Sequence, residues 1–192
     1  MSNRPELAIT IDDTGWANPA RHLESPNQDA RPDAVVPRLV IIHAISLPPC
    51  EFGGDAIERF FTNRLSASEH PYYVGIAGMR VSAHFFIRRD GSLVQFVPCL
   101  NRAWHAGASC WRHATQCNDY SVGIEVEGSD YAEYMPVQYE TLSRLARALC
   151  IRYPIEDIVG HVDVAPARKT DPGPYFDWSA IELPVASLQR MR

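Results

Sequence analysis

The sequence has no hydrophobic run approaching the roughly 20 residues of a transmembrane helix. Its first residues, Met1 to Glu6, contain no apolar segment of the kind found at the centre of a signal peptide. These two absences argue against a membrane-embedded or exported protein, so we expect a cytoplasmic one.

The sequence also has no excess of positive charge: 23 acidic residues outnumber 18 basic ones, and the formal net charge is -5. An acidic balance argues against broad binding to nucleic acid or to anionic membranes, although local arginine clusters can still bind carboxylates. Among the 18 basic residues, Lys169 is the only lysine. We expect neither a nucleic-acid nor a membrane partner.

The five cysteines are odd in number and include no Cys-x-x-Cys pair. A disulfide framework or a cysteine-rich zinc site needs paired or closely spaced cysteines. The sequence therefore predicts reduced, structural thiols at Cys50, Cys99, Cys110, Cys117 and Cys150.

No linker or internal repeat divides the chain. Its 192 residues, 46% of them hydrophobic, suffice for one domain with a sizeable core. Residues 1–37 are rich in Pro, Asp, Asn and Arg and predict a largely irregular covering segment. We expect one domain over residues 1–192.

Short apolar runs predict a β-sheet. Residues 39–42 are apolar and rich in β-branched side chains, as in a central strand buried on both faces, and His43 ends the run. Residues 81–87 and 93–97 flank an Asp90-Gly91 turn, which predicts a hairpin.

Residues 121–128 alternate between apolar and polar side chains, which predicts a half-buried strand. Val122, Ile124 and Val126 would share one face, and Glu125 and Glu127 the other. Two acidic side chains on one face usually indicate that it faces solvent. If the face lines a cleft instead, one of the glutamates is a candidate general base.

Helical periodicity predicts the remaining elements. Residues 55–65 begin with a capping-box pattern and continue as an amphipathic helix packed on the sheet. A long helix begins at Pro136 and is stopped by Pro154, and residues 178–192 predict a closing helix disturbed by a proline. The fold class is therefore α/β, with a mixed central sheet flanked by helices.

The segment 160–174 holds His161, Lys169 and Asp171 among several prolines and glycines. Because proline fixes φ and glycine permits unusual backbone, the segment is expected to have one defined loop shape. If it is locally extended, Lys169 and Asp171 face the same side.

Two imidazoles and a carboxylate, from His43, His161 and Asp171, form a set that binds zinc and leaves a fourth position for water. No spacing establishes this set, because the seven histidines allow many chance combinations. A lone histidine is more often structural, and His84, within an apolar strand, predicts a packed or hydrogen-bonded role.

The loop 102–107 combines Trp104 and His105 with small residues. This composition suits the wall of a ligand site, although a tryptophan is more often a core anchor.

Several blocks of the sequence, in order and with their spacing kept, resemble the AmpD family of N-acetylmuramoyl-L-alanine amidases. Its wider family includes phage amidase-type lysozymes and peptidoglycan-recognition proteins. The resemblance runs from about Arg31 to Trp178 and is carried by residues 40–43, 45–49, 80–84, 102–107, 123–125 and 160–174.

The resemblance implies that zinc is bound by His43, His161 and Asp171. It assigns Glu125 and Lys169 as the catalytic pair. It further implies cleavage of the amide between the lactyl group of anhydro-N-acetylmuramic acid and L-alanine, in cytoplasmic peptidoglycan recycling.

Arg80 and Arg168 match positions that we expect to face the carboxylates of the acidic stem peptide, and Trp104 and His105 are expected on the sugar side. The partner implied is a small-molecule anhydromuropeptide, and we expect a monomer.

Two departures from the family pattern affect substrate affinity and sugar selectivity. Ala44 stands where asparagine is common, and Gln116 stands where arginine is usual. The alternative function is a non-catalytic muropeptide-binding module of the same wider family. The intact zinc set, together with Glu125 and Lys169, argues against this alternative.

Overall fold

The centre of the fold is a β-sheet, seen in a computed structural model that describes residues 8–33 and 35–183. The strands within these residues are β1 (Thr10–Ile11), β2 (Ala17–Asn18), β3 (Arg21–His22), β4 (Gln28–Ala30), β5 (Leu39–Ile45), β6 (Phe85–Ile87), β7 (Leu93–Gln95), β8 (Asn101–Ala103), β9 (Cys110–Trp111), β10 (Ala114–Thr115), β11 (Ser121–Glu127) and β12 (Asp157–Gly160). The helices are α1 (Ala56–Phe61), α2 (Pro136–Arg152) and α3 (His161–Val164), with 3-10 turns at Pro71–Gly75, Cys117–Asp119 and Trp178–Ala180.

Six strands form the main sheet in the order β12-β5-β11-β6-β7-β3. Strands β12, β5, β11 and β6 are parallel, β7 is antiparallel to β6, and β3 is parallel to β7. The predicted mixed sheet with flanking helices is confirmed, and so is the predicted hairpin, which is formed by β6 and β7.

Helix α2 covers one face of this sheet. Its apolar stripe packs on alternate residues of β5, β6 and β11 in one buried cluster. The cluster includes Val40, Ile42, Phe85, Ile87, Val122, Ile124, Val126, Leu142, Leu145 and Leu149. The predicted face of β11 is thus confirmed.

The opposite face of the sheet is covered as well. Helix α1 packs there on β6 and β7, while α3 and β9 pack on β5 and β12. Glu125 and Glu127 lie on this face and are only 9% and 1% exposed. The usual expectation of a solvent-facing pair of acids is therefore wrong, because periodicity along one strand carries no information about what covers it.

Two predicted element ends differ from the structure. Strand β5 continues past His43 to Ile45, because it pairs with β11 over its whole length. Helix α1 ends at Phe61, four residues early, since Asn63 adopts a left-handed φ of 60° that a helix cannot continue through.

The start of α1 also differs from the predicted capping box. Asp55 is its N-cap, but the carboxylate makes no capping hydrogen bond and instead accepts one from Arg59 Nε at 3.0 Å. Near the carboxyl terminus, the predicted closing helix begins as a single 3-10 turn at Trp178–Ala180, and residues 184–192 lie outside the described part.

Within the described residues, no helix is both long and apolar enough to span a membrane. All five cysteines are free thiols, of which Cys99 and Cys117 are buried.

The parallel pairing of β5 with its two neighbours positions the chemistry. In register, His43 on β5 is opposite Glu125 on β11, and Ile42 is opposite Gly160, the last residue of β12. Because the strands are parallel, His161, which follows Gly160, comes to lie beside His43. The carboxyl ends of three strands thus meet at one edge of the sheet.

The fold predicts a large difference between two neighbouring aliphatic residues of α2. Leu149 is fully buried, and Leu149→Ala is expected to lower the free energy of unfolding by about 2–5 kcal/mol through lost burial and cavity formation. Ile151 is 80% exposed, and Ile151→Ala is expected to change it by less than about 0.5 kcal/mol. Urea unfolding of both variants measures the difference, and equal losses would contradict the packing of α2.

Candidate active site

A cavity of about 530 Å³ opens at the edge of the sheet where β5 and β11 end. All but one of the residues predicted for the site line it: His43, Trp104, His105, Glu125, His161, Arg168, Lys169 and Asp171. A second cavity of the same volume, between α2 and residues 177–182, is lined by none of them. Chemical composition, not size, therefore identifies the candidate site.

Three potential metal ligands converge at the base of this cavity. His43 Nδ1 lies 2.9 Å from His161 Nδ1 and 3.2 Å from Asp171 Oδ2, and His161 Nδ1 lies 3.0 Å from Asp171 Oδ2. In a tetrahedral zinc site with bonds near 2.1 Å, ligand atoms are about 3.4 Å apart. The three atoms are thus close to the spacing that a shared cation requires.

The outer nitrogens of both rings have their own partners. His161 Nε2 lies 3.2 Å from the carbonyl oxygen of Ala106, which can only accept, so this nitrogen carries the proton. His43 Nε2 lies 2.9 Å from His105 Nδ1, and His105 Nε2 is 3.3 Å from the Ser121 hydroxyl. The Nδ1 atoms of the two rings therefore face each other, an arrangement that a cation between them stabilises.

The electrostatics of the cluster also suit a metal. Burial lowers the pKa of His43 to about 4, helped by His161 and opposed by Asp171. Burial alone would raise the pKa of Asp171, but its contacts with the His161 and His43 rings hold that pKa well below the usual range. Both groups are therefore free of competing protons near neutral pH, as metal ligands must be.

Glu125 lies beside this cluster, on the same sheet face as His43. Its Oε2 atom is buried and has no hydrogen-bond partner among the described residues. Burial raises the pKa of Glu125 to about 8; the Asp171 carboxylate adds to the shift and the Lys169 ammonium opposes it. A buried carboxyl group that titrates near neutrality in a cavity is typical of a functional acid or base.

The segment after α3 forms a tight loop, as its prolines and glycines predict. The backbone N–H groups of Arg168 and Lys169 both donate to the Ala165 carbonyl at 3.0 Å, and Val162 N–H donates to the Asp171 carbonyl at 2.9 Å. These bonds direct Lys169 and Asp171 into one cavity wall with His161.

The residues predicted to bind substrate have different surroundings. Arg168 Nη2 donates to the carbonyls of Ala106 at 2.7 Å and Ala108 at 2.9 Å. Trp104 Nε1 donates to Asp29 Oδ1 at 3.2 Å while the residue lines the cavity. His105 is in the wall but is also the hydrogen-bond partner of His43.

Arg80 is the predicted site residue that does not line the cavity. It is exposed, and its guanidinium donates to the carbonyls of Gly78 and Met79. The neighbouring residues Met79 and Val81 do line the wall, which leaves Arg80 at the outer rim.

Two further polar residues near the site have structural partners. His84 is buried, and its Nδ1 accepts from Gly123 N–H at 3.0 Å, which confirms its predicted hydrogen-bonded role. Glu127 accepts from the backbone N–H groups of Gly53 and Arg89. Of the two glutamates on this face of β11, Glu125 is the one that remains available for chemistry.

Sequence reasoning missed most of the rim. Tyr72, Met79 and Tyr131 line the cavity with partly or largely exposed side chains. Tyr72 lies in the short 3-10 turn Pro71–Gly75, and Met79 and Tyr131 lie in loops, so no periodicity indicates their position. The Ala106 carbonyl was missed because a backbone acceptor leaves no signal in residue type.

The two departures from the family pattern differ in location. Ala44 follows His43 and lines the cavity, so the missing amide would have been at the site itself. Gln116 precedes the 3-10 turn Cys117–Asp119 in a left-handed conformation, with φ of 56°.

The chain is similar to characterised amidases. Residues 32–174 match the family described as N-acetylmuramoyl-L-alanine amidase. The chain is 51% identical over 169 residues to 1,6-anhydro-N-acetylmuramyl-L-alanine amidase AmpD of Citrobacter freundii, which covers 87% of this chain and 90% of that protein. It is 49% identical over 174 residues to the AmpD of Escherichia coli K12, covering 90% and 95% of the two chains.

Solved structures show the same similarity. A crystal structure of a selenomethionine AmpD derivative aligns with a TM-score of 0.87 at 50% identity, covering 89% of this chain and 96% of that chain. The amidase AmiD of E. coli, in complex with anhydro-N-acetylmuramic acid-L-Ala-D-γ-Glu-L-Lys, aligns with a TM-score of 0.57 at 28% identity, covering 91% and 64%.

The contact between β11 and His105 predicts that Gly123 cannot carry a side chain. A Cβ atom there would lie 2.5 Å from Cγ and Nδ1 of His105. Gly123→Ala is expected to displace the ring and lower the free energy of unfolding by about 1–3 kcal/mol. Gly78→Ala is the control, since its Cβ would meet nothing within 4 Å. Equal stability of the two variants in urea unfolding would refute the contact.

Proposed function

We propose a function for this chain from its membership of the N-acetylmuramoyl-L-alanine amidase family, to which it belongs. The protein hydrolyses the amide between the lactyl group of anhydro-N-acetylmuramic acid and L-alanine in muropeptides. The observation that carries the proposal is the convergence of His43, His161 and Asp171 in one cavity with a buried, unpaired Glu125.

We expect a zinc ion to be held by Nδ1 of His43, Nδ1 of His161 and a carboxylate oxygen of Asp171. Two imidazoles and one carboxylate are typical ligands of a catalytic zinc, which keeps one position open. When bound there, zinc would supply a water of pKa near 7 and polarise the scissile carbonyl. The close approach of the three donor atoms and the outer hydrogen-bond partners of both rings support this assignment.

Glu125 acts as the general base and then the general acid. It accepts a proton from the attacking water and delivers it to the departing L-alanine nitrogen, so one proton moves from nucleophile to leaving group. Its raised pKa, about 8 before any cation is bound, favours the second transfer. A cation on the neighbouring ligands lowers that pKa and favours the first.

Lys169 stabilises the oxyanion of the tetrahedral intermediate with its ammonium group. The positive charge of Lys169 lowers the pKa of Glu125, and both side chains line the same cavity. A fixed cation is most effective where negative charge develops in the transition state, in a wall shielded from water. The tight loop over residues 165–171 supplies that fixed position.

The substrate contacts follow from the cavity wall. Arg168 lies in the wall, where the remaining guanidinium donors can bind a stem-peptide carboxylate. Arg80 at the rim would contact the outer part of the peptide, and Trp104 and His105, which line the cavity, would contact the sugar. The AmiD complex contains a ligand of this class, with a sugar at one end and carboxylates along its peptide.

We further propose that the whole chain is one zinc amidase domain that acts as a monomer in cytoplasmic peptidoglycan recycling. The alternative is a non-catalytic muropeptide-binding module. A buried glutamate whose Oε2 has no hydrogen-bond partner among the described residues favours catalysis, because binding alone gives no reason to retain an unsatisfied acid beside three potential metal ligands.

Replacing the proposed base should separate catalysis from metal binding. Glu125→Gln is expected to lower the rate of muropeptide cleavage by about 10²–10⁴-fold, because the amide cannot shuttle the proton. Its zinc content should equal that of wild type. Glu140→Gln, an exposed change of the same type on α2, is the matched control. Mass spectrometry of the released peptide measures the rate, and a Glu125→Gln enzyme as fast as wild type would disprove the mechanism.

Removing the metal should abolish cleavage. Treatment with a chelator is expected to stop release of the peptide, and added zinc to restore it, since Glu125 without the metal does not lower the pKa of water or polarise the carbonyl. Anhydromuropeptides and ordinary muropeptides are compared in the same assay, with faster cleavage of the anhydro form expected. Undiminished cleavage after full metal removal would exclude a zinc mechanism, and binding without turnover in every condition would support the binding module.

A further inference from the structure

One dipeptide contacts both histidines of the proposed metal site. The side chain of His105 lies 2.9 Å from His43 Nε2, and the carbonyl of Ala106 lies 3.2 Å from His161 Nε2. The same carbonyl accepts from Arg168 Nη2 at 2.7 Å. A shift of residues 105–106 would therefore move the partners of both rings at once.

Asn118 holds this dipeptide in place. Its side-chain oxygen accepts from the backbone N–H of Ala106 at 2.8 Å and from that of His105 at 3.2 Å. No other side-chain contact to these two N–H groups is present in the described part of the chain. The side chain of Asn118 is thus two hydrogen bonds away from each imidazole.

Asn118 is itself anchored from behind. Its carbonyl accepts from Nη1 of Arg31 at 3.1 Å, and Arg31 is buried and also donates to the carbonyls of Cys99, Asp119 and Ser121. Because Ser121 begins β11, the guanidinium links the Asn118 turn to the strand that carries Glu125. The Arg31 contacts therefore fix the backbone from which the Asn118 side chain extends.

We propose that Asn118 is a positioning residue for the metal centre, which sets the affinity of the site by holding His105 and Ala106 against the two histidines. The inference rests on the zinc site proposed above. The outer partners fix the orientation of both rings, so that their Nδ1 atoms face each other where the cation would bind. Outer partners of this kind typically change metal affinity by about 10–100-fold.

The test compares two substitutions at this position. Asn118→Leu has a similar shape but removes the acceptor and leaves both N–H groups without it. Asn118→Asp retains an oxygen in the same place. We expect the leucine variant to bind zinc about 10–100-fold more weakly, and the aspartate variant to stay within about threefold of wild type. Competition with a chromogenic chelator measures the dissociation constant on the full chain.

A matched control distinguishes positioning from general loosening of the turn. Ser109 Oγ accepts from Cys117 N–H at 3.2 Å and donates to the Gly107 carbonyl, so it joins the same two segments without touching residues 105–106. Ser109→Ala is expected to change the zinc affinity by less than about threefold. The absorption spectrum of the cobalt-substituted protein should change in Asn118→Leu and not in Ser109→Ala.

The free energy of unfolding of each metal-free variant is measured in parallel. A leucine variant with wild-type zinc affinity would overturn the inference and leave the proposed function intact. The inference would also be overturned if Asn118→Leu and Ser109→Ala lost zinc affinity equally and in proportion to their loss of metal-free stability. The role of Asn118 would then be merely structural. Failure of wild type to bind zinc would overturn both this inference and the zinc mechanism.

Discussion

The parallel pairing of β5 with β11 and β12 is the constraint on which the site depends. One register places His43 opposite Glu125 and ends β12 at Gly160, opposite Ile42. A shift of one residue in the pairing register of β5 would direct His43 to the face covered by α2. No change in the loops could then return the side chain to the site. His43 and His161 are far apart in sequence, and the backbone hydrogen bonds between β5 and β12 bring them together. This proximity does not depend on contacts between the side chains of the site.

Coverage of both sheet faces explains the chemistry of these side chains. Because α2 takes one face with aliphatic residues, the polar residues of β5 and β11 are confined to the other, where α1, α3 and the loops exclude water. Burial disfavours the charged form of both groups, and it therefore shifts their pKa values in opposite directions. Burial lowers the pKa of His43 and raises that of Glu125, so that His43 is neutral, as its proposed role as a metal ligand requires, and Glu125 can hold a proton near neutrality.

Local patterns in the sequence predicted the elements whose conformation depends mainly on their own residues. The β-branched run of β5 and the proline-bounded helix α2 are examples, as is the loop after His161, whose prolines and glycines restrict its shape. The end of α1 was missed, because it depends on the left-handed backbone of Asn63. The burial of Glu125 and the rim position of Arg80 depend on which loops cover the sheet, and periodicity along one strand does not contain that information.

The same reasoning explains why the family resemblance includes residues with no reactive group. Gly123 has no side chain, and a Cβ there would overlap the His105 ring that contacts His43. Ala106 contributes only a carbonyl, yet that oxygen accepts from His161 and Arg168. Blocks 102–107 and 123–125 thus meet at a single contact between a loop and a strand. Their spacing allows this contact to hold the outer nitrogens of His43 and His161, the two imidazoles that we propose as zinc ligands.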